Sequence, residues 1–123
     1  MRHLLSSLLL LMAATVPVYA HDPRPGPNGG VMVDAGTSFH VELVATGTEA
    51  VTVYLFDAAD KPVATVGFSG NAILILDGKA QRFPLEPAAE AKFTGKAPAT
   101  VQKDVKGVIQ ITGPDGTSAQ AKF

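Results

Sequence analysis

The chain has 123 residues, 46% of them hydrophobic and 17% charged, which is the size of one globular domain with enough apolar material for a core and excludes a disordered tail. The formal net charge is −1, and no basic cluster stands ready to neutralise phosphates, so nucleic acid is set aside as a partner. Cysteine is absent, which excludes disulfides, thiolate metal sites and cysteine nucleophiles and leaves stability to packing.

In chain order, residues 1–20 read as a cleavable secretory signal peptide. Arg2 gives a positive start, Leu4 to Val16 form a short apolar stretch, and Val18-Tyr19-Ala20 fits the small-x-Ala cleavage rule. The apolar stretch is shorter than the ~20 residues that span a bilayer, and Pro17 interrupts its end, so the mature form is expected to carry no membrane span. Cleavage makes His21 the new N-terminus. It removes Arg2 and no acidic residue, moving the balance from −1 to −2. The chain has no Asn-x-Ser/Thr triplet for N-glycosylation, which fits a bacterial periplasm at least as well as a eukaryotic lumen.

Residues 21–30 carry Pro23, Pro25 and Pro27 with Gly26, Gly29 and Gly30. That spacing removes backbone donors, forbids a helix and predicts an extended, partly mobile arm. Residues 31–123 then alternate short runs rich in Val, Ile, Thr and Phe with turn residues. Strands are expected at 31–34, 38–45, 50–56, 62–66, 72–76, 80–85, 91–94, 105–112 and 117–123. Asp77-Gly78 predicts a type I′ hairpin, and Gly113-Pro114-Asp115-Gly116 a second one between the last two strands. Alternation puts Phe39, Val41 and Leu43 with Val51, Val53 and Leu55 in the core, and joins Ile109 and Ile111 to Ala119, Ala121 and Phe123. A helical turn is conceivable only at 87–92. The expected fold is all-β: a single antiparallel β-sandwich, Ig-like, of about seven to nine short strands.

Chemistry is sparse. The mature chain offers two histidines, His21 and His40, and no nucleophile–base–acid set assembles, so an enzyme is not expected. Ser69 in Gly67-Phe68-Ser69-Gly70 lacks the spacing and the strand-to-helix setting of a nucleophile elbow. Asp57-Ala58-Ala59-Asp60 lacks the ligand spacing and glycine of a calcium loop and reads as a solvated turn.

His21 is the sharper candidate. After cleavage it presents its α-amine and imidazole Nδ1 on one chelate ring, which suits the tetragonal nitrogen ligation of Cu(II). Pro23 has no N–H to deprotonate, so further donors must come from elsewhere in the fold; the plain alternative is a histidine that merely follows a cleavage site. His40 and Glu42 share the strand face opposite Phe39, Val41 and Leu43. They can share a metal, Glu42 can orient the imidazole, or both can be ordinary surface residues. Met32 is a soft donor better suited to packing. Val44, Tyr54 and Phe56 belong to the same outward face, which another strand or a partner protein can cover.

The order of features resembles a group of small proteobacterial periplasmic proteins that accompany heavy-metal resistance and efflux systems. The residues that carry the likeness are His21, Gly29-Gly30, Phe39-His40-Val41-Glu42-Leu43-Val44, Val53-Tyr54-Leu55-Phe56-Asp57, Lys61-Pro62-Val63, Gly70, Asp77-Gly78-Lys79 and Ala121-Lys122-Phe123. Members commonly place a histidine directly before the Gly-Gly; here that position is Asn28. The terminal histidine is also similar to that of periplasmic copper carriers of the copper-resistance C type, which are β-sandwiches. The resemblance implies a periplasmic accessory protein of metal homeostasis with envelope metal-efflux components as partners; the residues themselves add the expectation of Cu(II), with zinc or nickel as alternatives, bound through His21 and His40, with Glu42 as ligand or orienter. The alternative is a metal-free periplasmic adaptor that contacts an envelope protein through a strand edge or the face of Tyr54 and Phe56.

Overall fold

A computed structural model describes residues 22–123; the expected signal peptide and His21 lie outside the described residues. The strands are β1 (Arg24–Pro25), β2 (Val31–Ala35), β3 (Phe39–Ala45), β4 (Thr48–Asp57), β5 (Ser69–Leu76), β6 (Lys79–Pro87), β7 (Lys92–Val101), β8 (Gly107–Thr112) and β9 (Ser118–Lys122). Every pairing is antiparallel, and the described residues contain no helix.

The Ig-like sandwich expected from the sequence is overturned. Hydrogen bonding runs without a break in the order β1-β2-β3-β4-β7-β6-β5-β8-β9 and returns from β9 to β2, so eight strands close into an antiparallel barrel with β1 outside the ring. The order β8-β5-β6-β7 within it is a Greek key. Sandwich and barrel share the same in-and-out alternation along each strand; they differ only in whether the outermost strands pair. Here closure depends on Ala35 opposite Ala121, both fully buried, where two methyl groups let the strands approach. The β6–β7 seam is held by Glu86↔Thr94 and Pro87↔Phe93. Beside it Gly95 faces inward, and a Cβ there would stand 2.7 Å from Leu85 Cδ2, so the bare backbone makes room for the neighbouring side chains.

Alternation fills the interior as expected. Val41 pairs with Leu55, Leu43 with Val53 and Ala45 with Val51, and all six are buried. Ile109 pairs with Ala121 and Ile111 with Ala119, while Phe93, Leu74, Leu85 and Phe83 complete the core from the other side. Phe39 lies at its margin, edge to face with Phe68 at 5.8 Å. Both expected hairpins form. Asp77 and Gly78 have φ of 49° and 75°, the left-handed pair a type I′ turn needs, and Ile73 to Leu76 run against Arg82 to Lys79. In the second, the Gly113 N–H donates to the Thr117 carbonyl, and the Asp115 carboxylate accepts from the Thr117 N–H and hydroxyl.

Two local expectations fail. Residues 62–66 form a loop with a single bridge, Phe56↔Pro62, because Pro62 cannot donate to a ladder and Thr65 turns inward instead. Thr65 is fully buried, with its N–H on the Glu90 carbonyl and its hydroxyl 3.0 Å from the Lys92 carbonyl, so it ties this loop to the start of β7. The strand expected at 91–94 continues to Val101, since Phe93, Ala97 and Val101 keep an inward face across Gly95 and Pro98.

Candidate functional site: a histidine between two carboxylates

The face of β2, β3 and β4 turned away from the core carries Met32, Asp34, His40, Glu42, Tyr54 and Phe56, as period-two alternation requires. The structure covers this face with the chain's own arm. Arg24 and Pro25 pair with Met32 and Val31, occupying the part of the β2 edge that β9 leaves open. The following turn, residues 26–30, folds over β3, and Met32 is buried beneath the arm as packing.

Glu42 holds that turn. Its side chain is fully buried, and its carboxylate accepts from the Asn28 N–H at 2.9 Å, the Gly30 N–H at 2.8 Å and the Asn28 side-chain amide at 2.9 Å. A buried carboxylate is tolerated when such donors replace its water. Gly26 is obligatory here, because any Cβ would run into the Glu42 carboxyl group. Asn28 is therefore a donor to Glu42. His40 and Glu42 share a face but not a partner: Glu42 serves the arm.

His40 is 11% exposed at its side chain and sits between two aspartates. Asp34 is directly opposite it across the β2–β3 ladder, with Oδ1 3.2 Å from His40 Nε2. Asp60 comes from the loop after β4, its Oδ1 2.6 Å from His40 Nδ1. The loop presents it through an Asx turn, in which the Asp57 carboxylate accepts from the N–H groups of Ala59 and Lys61. Asp60 itself adopts φ 61°, a left-handed conformation that aspartate tolerates better than most residues. A 2.6 Å approach between a ring nitrogen and a carboxylate oxygen requires a proton between them, so Nδ1 donates to Asp60 and Nε2 is the nitrogen turned to Asp34.

Arg24 completes the cluster. Its Nη2 is 3.1 Å from Asp60 Oδ1 and 3.0 Å from His40 Nδ1, and its Nη1 is 3.8 Å from Asp34 Oδ1. With Nδ1 protonated, the guanidinium donates to Asp60, and its contact with the ring follows from the shared acceptor. The hydrogen bond from His40 lowers the Asp60 pKa below its ordinary value; desolvation opposes it, and the charge of His40 and the charge and hydrogen bond of Arg24 lower it further. The cluster opens on a hollow of about 470 Å³ lined by Asp22, Arg24, His40, Ala58 and Asp60.

Of the sequence-derived candidates, His40 lies at the centre of this cluster, Glu42 lies two residues away on a different task, and His21 lies outside the described residues, next in sequence to Asp22. Sequence reasoning does not single out Asp34 or Arg24, and it reads Asp60 only as part of a solvated turn. Asp34 was the one with a signal, since a tight β2–β3 hairpin places it opposite His40. Asp34 and Asp60 engage opposite ring nitrogens and so do not converge on one point; among the described residues no group of three or more His, Asp or Glu side chains is arranged to hold a metal ion.

The fold and site thus define a closed antiparallel barrel bearing a strapped outer face and a histidine–carboxylate–arginine cluster. Compared with known proteins, the chain matches no family model, no curated protein and no solved structure.

Proposed function

We propose that this is a non-enzymatic periplasmic protein that binds a divalent transition metal, Cu(II) first, through the mature N-terminal His21 and His40. The observation that carries the reading is the orientation of His40. Asp60 holds Nδ1, a carboxylate–histidine arrangement typical of metal-ligating imidazoles, and Nε2, on the side of Asp34, would be the ligating atom. Nε2 and Asp34 Oδ1 are 3.2 Å apart, a spacing that two ligands on one ion at roughly 2.0–2.2 Å would have. The hollow before them includes Asp22, whose neighbour in sequence is His21. In this proposal the His21 amine and imidazole supply the remaining donors, and Glu42 acts only by holding the arm. Zinc or nickel fit the same imidazole and carboxylate donors. The likeness to heavy-metal resistance proteins supports the same reading, with envelope efflux components as the partners to test.

The adaptor reading keeps one observation: Tyr54 borders a groove of about 430 Å³ with Asn28, Phe56, Pro62 and Lys92. Ring closure takes away the long free strand edge that reading also relied on.

The test is a Cu(II) titration of protein beginning at His21, by calorimetry and EPR, beside a form with one extra N-terminal Met and a His40→Ala variant. Tight one-to-one binding with nitrogen hyperfine structure, lost in the extended form and weakened at least about tenfold in His40→Ala, is expected. Binding indifferent to both changes would sink the proposal.

A further inference from the structure

We infer that the outer face of β6, β5, β8 and β9 is a docking surface for an acidic polypeptide segment, which crosses these strands in extended form with an aliphatic side chain between two carboxylates. This goes beyond the metal reading and uses none of the residues around His40.

The register fixes which side chains share the face. Ala72, Leu74, Ile109, Ile111 and Ala121 are buried in the core, so their neighbours along each strand point outward. Arg82 stands opposite Ile73, Ile73 opposite Val108 and Val108 opposite Lys122, which makes one row of two apolar residues flanked by two cations. In the adjoining row Asn71 is opposite Gln110, and Gln110 opposite Gln120. On the other side Ile75, 47% exposed, extends the apolar centre beside Lys106, with Asp77 and Asp104 at the barrel end beyond them.

Charge decides what kind of partner fits. The chain is net negative at −1, yet Glu86 is the one acid in these four strands. It lies four residues from Arg82 along β6, about 13 Å away, and among the described residues neither Arg82 nor Lys122 makes an ion pair. A second copy set face to face would bring these cations against their own kind. An anionic bilayer meets the charge, but Ile73 and Val108 are half-buried and no outward residue of these strands is aromatic, so there is little to insert. The side-chain amides of Asn71, Gln110 and Gln120 have no hydrogen-bond partner among the described residues. Each offers two donors and an acceptor, which the carbonyl and N–H groups of a polypeptide can both satisfy.

Spacing gives the pattern. Arg82 and Lys122 are separated by three interstrand steps, about 14 Å at roughly 4.8 Å each. An extended chain covers that distance in about four residues, and its residues i, i+2 and i+4 point to the same side. Acids at i and i+4 therefore reach Arg82 and Lys122 while an aliphatic residue at i+2 rests on Ile73 and Val108.

The experiment titrates isotope-labelled protein beginning at His21 with the capped peptide Gly-Glu-Ser-Leu-Ser-Glu-Gly, reading backbone amide shifts by NMR. Shifts centred on Ile73, Val108 and Gln110 are expected. Affinity should fall about tenfold in each of Arg82→Glu and Lys122→Glu and stay unchanged in Lys61→Glu, a charge reversal away from this face. The isomer Gly-Glu-Glu-Leu-Ser-Ser-Gly, with its acids adjacent, should bind at least about threefold more weakly. Unfolding curves establish that the variants are folded. Absence of binding, binding indifferent to both charge reversals, or equal binding of the two peptides overturns the proposal. Vesicles of phosphatidylglycerol and phosphatidylcholine that engage the same residues when the peptide does not would assign the face to a membrane and overturn it as well.

Discussion

Replacing Glu42 tests whether one buried carboxylate straps the arm to the barrel. In Glu42→Leu the volume is nearly kept, but the N–H groups of Asn28 and Gly30 and the Asn28 amide lose their acceptor together. Hydrogen bonds to a charged acceptor contribute roughly 1.5–3 kcal/mol each. Three of them would give a large loss, yet burying the carboxylate itself carries a desolvation cost that the leucine removes, and the arm can lift so that water reaches the orphaned donors. The expected net loss is about 3 kcal/mol, or roughly 12–20 °C in the unfolding midpoint of a domain this size. Glu42→Gln should cost only about 1 kcal/mol, because its carbonyl keeps both backbone donors and the Asn28 amide can turn its oxygen to the new NH2 group. Urea and thermal unfolding give the two stabilities, and hydrogen exchange at Asn28 and Gly30 gives the local effect. Equal stabilities for the two variants, or unprotected Asn28 and Gly30 amides in the wild type, would refute the reasoning.

The barrel seam makes a second prediction: Ala35→Val inserts methyl groups where Ala35 meets Ala121 at full burial, and should destabilise by about 1–3 kcal/mol, measured by urea unfolding. The His40 cluster makes a third. Because the folded-state pKa of Asp60 is lowered from 3.8, its contribution to stability is present above that value and is lost as pH falls through the lower folded value. Asp60→Asn should therefore be less stable than wild type at pH 7, with the gap between urea midpoints shrinking at pH 3; a gap that stays constant would refute the linkage.

Much of this fold is legible along the chain because its strands are bounded by local chemistry. Asp-Gly at 77–78 accepts two left-handed residues in succession, and alternation from Phe39 to Ala45 states which side chains face the core. The same alternation put His40, Glu42, Tyr54 and Phe56 on one outward face without any knowledge of neighbours. The loop at 62–66 and the continuation of β7 through Gly95 and Pro98 were hidden, because there tertiary contacts override local preference: Thr65 is drawn inward to the start of β7, and Ala97 and Val101 are packed into the core.

The amino-acid sequence by itself determined the all-β class, the two tight hairpins and the division of each strand into an inner and an outer face, since these depend on backbone preferences and a two-residue period. Only the tertiary structure decided that the sheet closes on Ala35 and Ala121, that Glu42 belongs to the arm, and that His40 belongs with Asp34, Asp60 and Arg24. A two-residue period says which way a side chain points and nothing about which distant segment arrives there. His40 meets Arg24 and Asp60 at sequence separations of 16 and 20, and those meetings are set by loop paths and ring closure rather than by any pattern within a strand.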